Sequence, residues 1–295
     1  MRGTIRRRTD CSSPRSRMRA RALAFVSLML ALAVLCGCVP LPGASVEAPV
    51  QAPTWEHAAF GPADADFVGA IDLDAVRADP LFGPLLQHLA QRDDAAVLLH
   101  ASQIDVVAAA DPERDRLKSW ILVVHGVTGA PTRNEVGSDA DRFVAGPGVW
   151  IYGEGPGFER MRANPALAAP AIDMPAGALV AATARSRLIP HRRHAELTDL
   201  SEGLTDASAE LFGGDHLGFA LSCRYTDDAS ARRAAALARL VLVAEAGRND
   251  EISELARALM KLDFDVDGPV VSVRVTLSDD LRDALVHYVK RAIRE

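Results

Sequence analysis

The chain has 295 residues, with 33 Lys or Arg against 39 Asp or Glu and a formal net charge of −6. That acidic balance excludes nucleic acid as an expected partner, because phosphate backbones are bound by clustered cations. Four Cys in a chain this long make no disulfide framework, so the stability has to come from a hydrophobic core, in one large or two small domains.

Residues 1–17 crowd Arg2, Arg6, Arg7, Arg8, Arg15 and Arg17 around Pro14 and Cys11. The triple Arg suggests a twin-arginine signal, but Thr9-Asp10-Cys11 is not its apolar continuation. A long basic leader, or an upstream start with Met18 as the true first residue, accounts for it more simply. Arg19 and Arg21 then lead into the apolar run Ala22 to Leu35, which ends in Cys36, Gly37 and Cys38. Charged, then apolar, then small is the order of an export signal. The run is shorter than the ~20 apolar residues needed to cross a bilayer.

The tetrad Leu35-Cys36-Gly37-Cys38 resembles the lipobox of bacterial lipoproteins. Cys36 stands where that family usually has Ser or Ala. The resemblance implies cleavage before Cys38, a diacylglyceryl group on its thiol and a further acyl chain such as palmitate on its freed amine. Two or three chains make a stable anchor where one gives only reversible binding. Val39, in place of the Asp that often retains lipoproteins in the inner membrane, points to the outer membrane. An ordinary signal peptide cleaved nearby, or a retained N-terminal helix, are the alternatives. Loss of residues 1–37 removes eight Arg and one acid, leaving 25 basic and 38 acidic residues and a balance of −13. Only three of the remaining cations are Lys, at 118, 261 and 290.

Residues 38–63 carry Pro40, Pro42, Pro49, Pro53 and Pro62, a composition that disfavours helix and sheet and reads as an extended tether. Folding begins near Phe67 with a strand to Leu73. Asp79 then reads as an N-cap and Pro80 as a first helical residue, ahead of Leu81, Leu85, Leu86 and Leu89 at helical spacing, which predicts a helix over 80–91. Ile104 to Ala109, Trp120 to Val127 and Val149 to Tyr152 read as strands, and Gly129 to Pro147 as loop.

A second half starts near Pro175. Ala178 to Ala184 is a predicted strand and Ala195 to Phe212 a weakly patterned, helical region. Leu217, Phe219, Leu221, Cys223 and Tyr225 alternate with small or polar residues, the cleanest period of two in the chain. Asp227 or Asp228 caps an Ala-rich helix to about Ala246, stopped by Gly247. Ile252, Leu255, Ala256, Leu259 and Met260 define another helix. Asp267-Gly268 is a hairpin turn between Phe264–Val266 and Val270–Leu277. Ser278 opens a last helix bearing Leu281, Leu285, Tyr288 and Ala292. The fold class expected is α+β, mixed or antiparallel sheets with helices packed on one face, in halves 64–174 and 175–295 that resemble each other in order of elements. The second half also loosely resembles uncharacterised exported proteins of high-GC Gram-negative bacteria, a likeness that implies no activity.

Asp263, Asp265, Asp267 and Gly268 spell the opening of an EF-hand loop, but its twelfth position, which needs a bidentate Glu, is Arg274. Gly153-Glu154-Gly155-Pro156-Gly157 lacks phosphate-loop spacing, and Pro156 lacks a donor; it reads as a turn. His191 and His194 are spaced for a shared metal on a helix, but Arg192 and Arg193 between them repel a cation and only Glu196 is close, so a solvated basic loop is expected. His125 reads as a hydrogen-bonded strand residue and Cys223 as a small buried thiol. There is no G-x-S-x-G, H-E-x-x-H, C-x-x-C or Walker motif. The expectation is a lipid-anchored envelope protein facing the periplasm, a non-enzymatic binding domain for an unidentified protein or ligand, with no metal and no cofactor. The alternatives are an envelope hydrolase assembled from residues such as Asp72, His125 and His191, or a carrier of an apolar ligand.

Overall fold

The structure is a computed structural model that describes residues 65–90, 96–111, 116–128, 141–168, 171–186, 202–213, 217–246 and 264–276, with Asp283. Its ten strands are β1 (Phe67–Asp72), β2 (Gln103–Asp111), β3 (Arg116–His125), β4 (Asp141–Gly146), β5 (Val149–Glu154), β6 (Ala178–Arg185), β7 (Leu204–Phe212), β8 (Gly218–Tyr225), β9 (Asp265–Asp267) and β10 (Val270–Thr276). They form one open sheet in the order β4-β5-β3-β2-β1-β6-β7-β8-β10-β9. Every neighbouring pair is antiparallel. Read outward from β1, the strands run first, second, third, fifth, fourth; read outward from β6, the sequence of positions is the same.

Among the described residues four α-helices accompany the sheet: α1 (Leu73–Ala78), α2 (Phe82–Ala90), α3 (Pro156–Ala163) and α4 (Asp228–Ala246). The α1 turn escapes a periodicity reading because it is six residues long. It is held by Asp72, whose carboxylate accepts from the Ala75 amide at 2.8 Å. Asp79 ends α1 and caps α2: its Oδ1 accepts from the amides of Leu81 and Phe82 at 2.8 and 2.9 Å. The expected cap is therefore present, with the helix starting at Phe82. Asp227 does the same for α4, accepting from the Ser230 amide at 2.8 Å.

Three expectations are corrected. Residues 204–212, read as helical, are the strand β7, because the ladders of β6 and β8 on either side satisfy its backbone and override the weak preference of Ala and Glu. Residues 141–146, read as loop, are the strand β4, with Phe143 turned to the core beside Phe158. The third concerns the helices. Side chains alternate between faces along a strand, and Ile121 and Val123 fall in a core with Phe158 and Met161 of α3. Val124 falls in another core with Leu73 of α1 and Leu86 of α2. The strand registers carry this second face across to Leu221, Cys223 and Tyr225, and α4 covers it there. Thus α1, α2 and α4 share one face, and α3 lies on the opposite one. The predicted helices at 252–260 and from Ser278, and the stop at Gly247, lie outside the described residues.

Candidate functional site

The deepest polar cluster forms where β2 and β3 run under the segment approaching β6. Gln103 pairs with His125 in register, and Asp105 lies two residues along β2 on the same face as Gln103. His125 therefore reaches diagonally to Asp105, with Nε2 2.8 Å from Oδ2. The Ile172 amide donates to the same Oδ2 at 3.1 Å, and Gln103 Nε2 donates to Oδ1 at 2.7 Å and to the Ile172 carbonyl at 2.8 Å. Asp105 is 1% exposed and His125 7%. A buried carboxylate needs such a set of donors to offset its desolvation. The cluster clamps residue 172 onto strands about 50 to 70 positions earlier in the chain. A His oriented by a carboxylate also makes two of the three members of a nucleophilic triad, so this pair is the described feature closest to a catalytic arrangement.

The turn into α3 lies at the other end of β3, beside Lys118 and Ser119, and is closed by packing. Gly155 sits at φ 94°, a conformation that favours glycine, and a Cβ there would meet the Lys118 carbonyl at 2.6 Å. Ser119 Oγ donates to the Glu154 carbonyl at 3.0 Å and accepts from the Gly157 amide at 3.2 Å. One of the helix's first donors is thus held inside the fold, and Pro156 supplies none. The 153–157 segment is the turn expected of it. Beside it is a cavity of about 30 Å³ lined by Ala65, Val107, Ser119, Ile121, Gly157 and Arg160. That is room for about one water, against ~300–1,000 Å³ for small-molecule pockets.

Cys223 is half-buried, packed with Tyr225 and Ala231 on the α4 face of β8. Burial, and secondarily the charge of Asp206, push its thiol up to about 12, so it is protonated at neutral pH and a poor nucleophile. Burial and the neighbouring Cys223 likewise raise Tyr225. Asp265 and Asp267 flank the exposed side of the β9–β10 hairpin, whose Gly268 takes φ 55°. Among the described residues no three His, Cys, Asp or Glu side chains converge as metal ligands.

Of the three residues named for a dispersed hydrolase, Asp72 and His125 share a cross-strand row through Gln103, but the Asp72 carboxylate caps α1. His191 lies outside the described residues, as do His194, Arg192, Arg193, Glu196, Asp263 and Cys38. Asp105, Gln103 and Ile172 are not singled out by any sequence motif. The available signal was one acid inside the apolar run Ile104 to Ala109, a residue that has to find a buried partner.

No family model matches the chain and no curated protein matches it. A solved structure of TP0453, crystal form I, is similar with a TM-score of 0.39 and 12% identity, over 81% of this chain and 97% of that one. A likeness at that level carries no argument about activity.

Proposed function

We propose that this chain is a lipid-anchored protein of the cell envelope, held through Cys38 to the outer membrane, whose sheet domain faces the periplasm and binds a partner without chemistry. The observation that supports this reading over a hydrolase is the Asp105 clamp. The His–carboxylate pair, the described feature closest to a catalytic one, also bonds the Ile172 amide and is buried, so its geometry serves the attachment of a crossing segment. The protonated Cys223 thiol fits the same reading. The matching outward strand orders from β1 and β6 support a chain of two similar halves, 64–174 and 175–295, joined through one sheet.

The test has two arms. Palmitate labelling and detergent-phase partitioning of the wild type are set beside Cys38→Ala; label and partitioning are expected to vanish together. A variant that still partitions indicates a retained helix, and a wild type that stays soluble removes the anchor. Cross-linking in intact cells followed by affinity capture is expected to return a specific envelope partner. Capture of none under any growth condition counts against the binding role.

A further inference from the structure

Helix α4 is packed along one stripe and presents another kind of surface on its back. Ala231, Ala234 and Ala235 are buried against Tyr225 and Val271. At 3.6 residues per turn, positions 233, 236, 240 and 243 point away from that stripe, flanked by 232 and 239. Leu240 is 64% exposed and Val243 54%, the two highest values among the exposed large apolar side chains described. They follow exposed Arg232, Arg233 and Arg239 on the outer and flanking faces. Arg233 meets Glu202 in an exposed pair at 3.8 Å, and Arg239 lies 5.7 Å over the Phe264 ring.

We infer that this outer face of α4 seats in the headgroup region of the bilayer, with Leu240 and Val243 among the acyl chains and the Arg side chains toward the phosphates. The inference rests on the lipid anchor proposed above. Cations beside apolar side chains on one exposed helix face are the pattern of an interfacial helix. Charge favours this face: beyond residue 37 the chain carries a net balance of −13, which anionic headgroups repel, and the outer and flanking positions of α4 bear three Arg that they attract. Two apolar side chains would not hold a free protein on a bilayer. Tethering makes the contact intramolecular, at an effective concentration set by the Pro-rich segment, so weak contacts suffice.

The experiment uses the full chain, isolated lipidated from the envelope, in vesicles of phosphatidylethanolamine and phosphatidylglycerol. Spin labels are placed at Leu240→Cys, Val243→Cys and, as an aqueous reference on the exposed end of α3, Ala163→Cys, all with Cys223→Ala. Labels at 240 and 243 are expected to show a several-fold higher ratio of oxygen to nickel-chelate accessibility than the label at 163. Leu240→Glu should return the label at 243 to the reference ratio. A chain that floats with the vesicles while label 240 matches the reference overturns this inference and leaves the anchor standing. A label shielded from both reagents assigns the face to a protein partner and also overturns it. A chain that does not float overturns both.

Discussion

Outward from β1, both faces of the sheet carry an apolar core, the Asp105 cluster being set at one end of the face under α3. One carries Val68, Val107, Ile121 and Ile151 under α3, and the other Ile104, Val124, Trp150 and Tyr152 under α1 and α2. Outward from β6, with the same order of strands, one face stays apolar and the other does not. Thr183, Ser208, Ser222 and Ser272 form a single cross-strand row, with Thr183 and Ser208 hydroxyls 3.0 Å apart. Asp206 and Arg224 pair in the next row but one, 3.9 Å apart. The same strand order is thus compatible with a two-sided core and a one-sided one. Strand pairing sets the topology, and which helix arrives on which face sets how far each face must be apolar.

This contrast locates where the molecule is fragile. The largest effect is expected at the face α3 covers, where Phe158 and Met161 are 1% and 0% exposed. Phe158→Ala should cost about 3–5 kcal/mol, read as a lower denaturant midpoint at unchanged slope. An unchanged midpoint would mean that α3 adds no core. Next is Gly155→Ala, which places a Cβ in a left-handed turn against the Lys118 carbonyl. About 1–3 kcal/mol is expected there, against a much smaller cost at Gly146, where a Cβ meets nothing within 4 Å.

A third test sits on the α4 face. Cys223 keeps its proton in the folded chain to about 12, whereas an unfolded thiol ionises near 9. Below pH 9 both states are protonated and the burial of the neutral thiol is fully favourable. Between about 9 and 12 the unfolded chain alone loses the proton, so stability falls as pH rises. The raised Tyr225 acts in the same direction. Thermal unfolding followed across that window should therefore slope less steeply in Cys223→Ala without becoming flat. The smallest effect is expected on the polar face, where Ser222→Ala should stay within about 0.5 kcal/mol. A loss comparable to that of Phe158→Ala would mean that the hydroxyl row is a core of its own.

The same contrast explains what could be read from residues alone. The alternation of Leu217 to Tyr225 was legible because β8 is apolar on one face and small or polar on the other. The caps Asp79 and Asp227 and the Asp267-Gly268 turn were legible because each is a local bonding problem with a local answer. The strand β7 was not, since its Ala, Glu and Leu residues prefer helix and only the flanking ladders overrule them. Nor was the placement of α3, which depends on the close approach of Gly153 to the Trp120 carbonyl and the Phe158 ring across strands distant in sequence. The Asp105 clamp was hidden for the same reason: its partners stand 20 and 67 residues away.

The most direct test of the account is a double-mutant cycle on Asp105 and His125, using Asp105→Ala, His125→Ala and both together, with unfolding free energy as the readout. If the pair is a structural clamp, each single change is strongly destabilising and the two costs are not additive, with a coupling of about 1–3 kcal/mol. Costs that add within about 0.3 kcal/mol, in variants that otherwise fold as the wild type does, would contradict it and return His125 to the list of candidate catalytic bases.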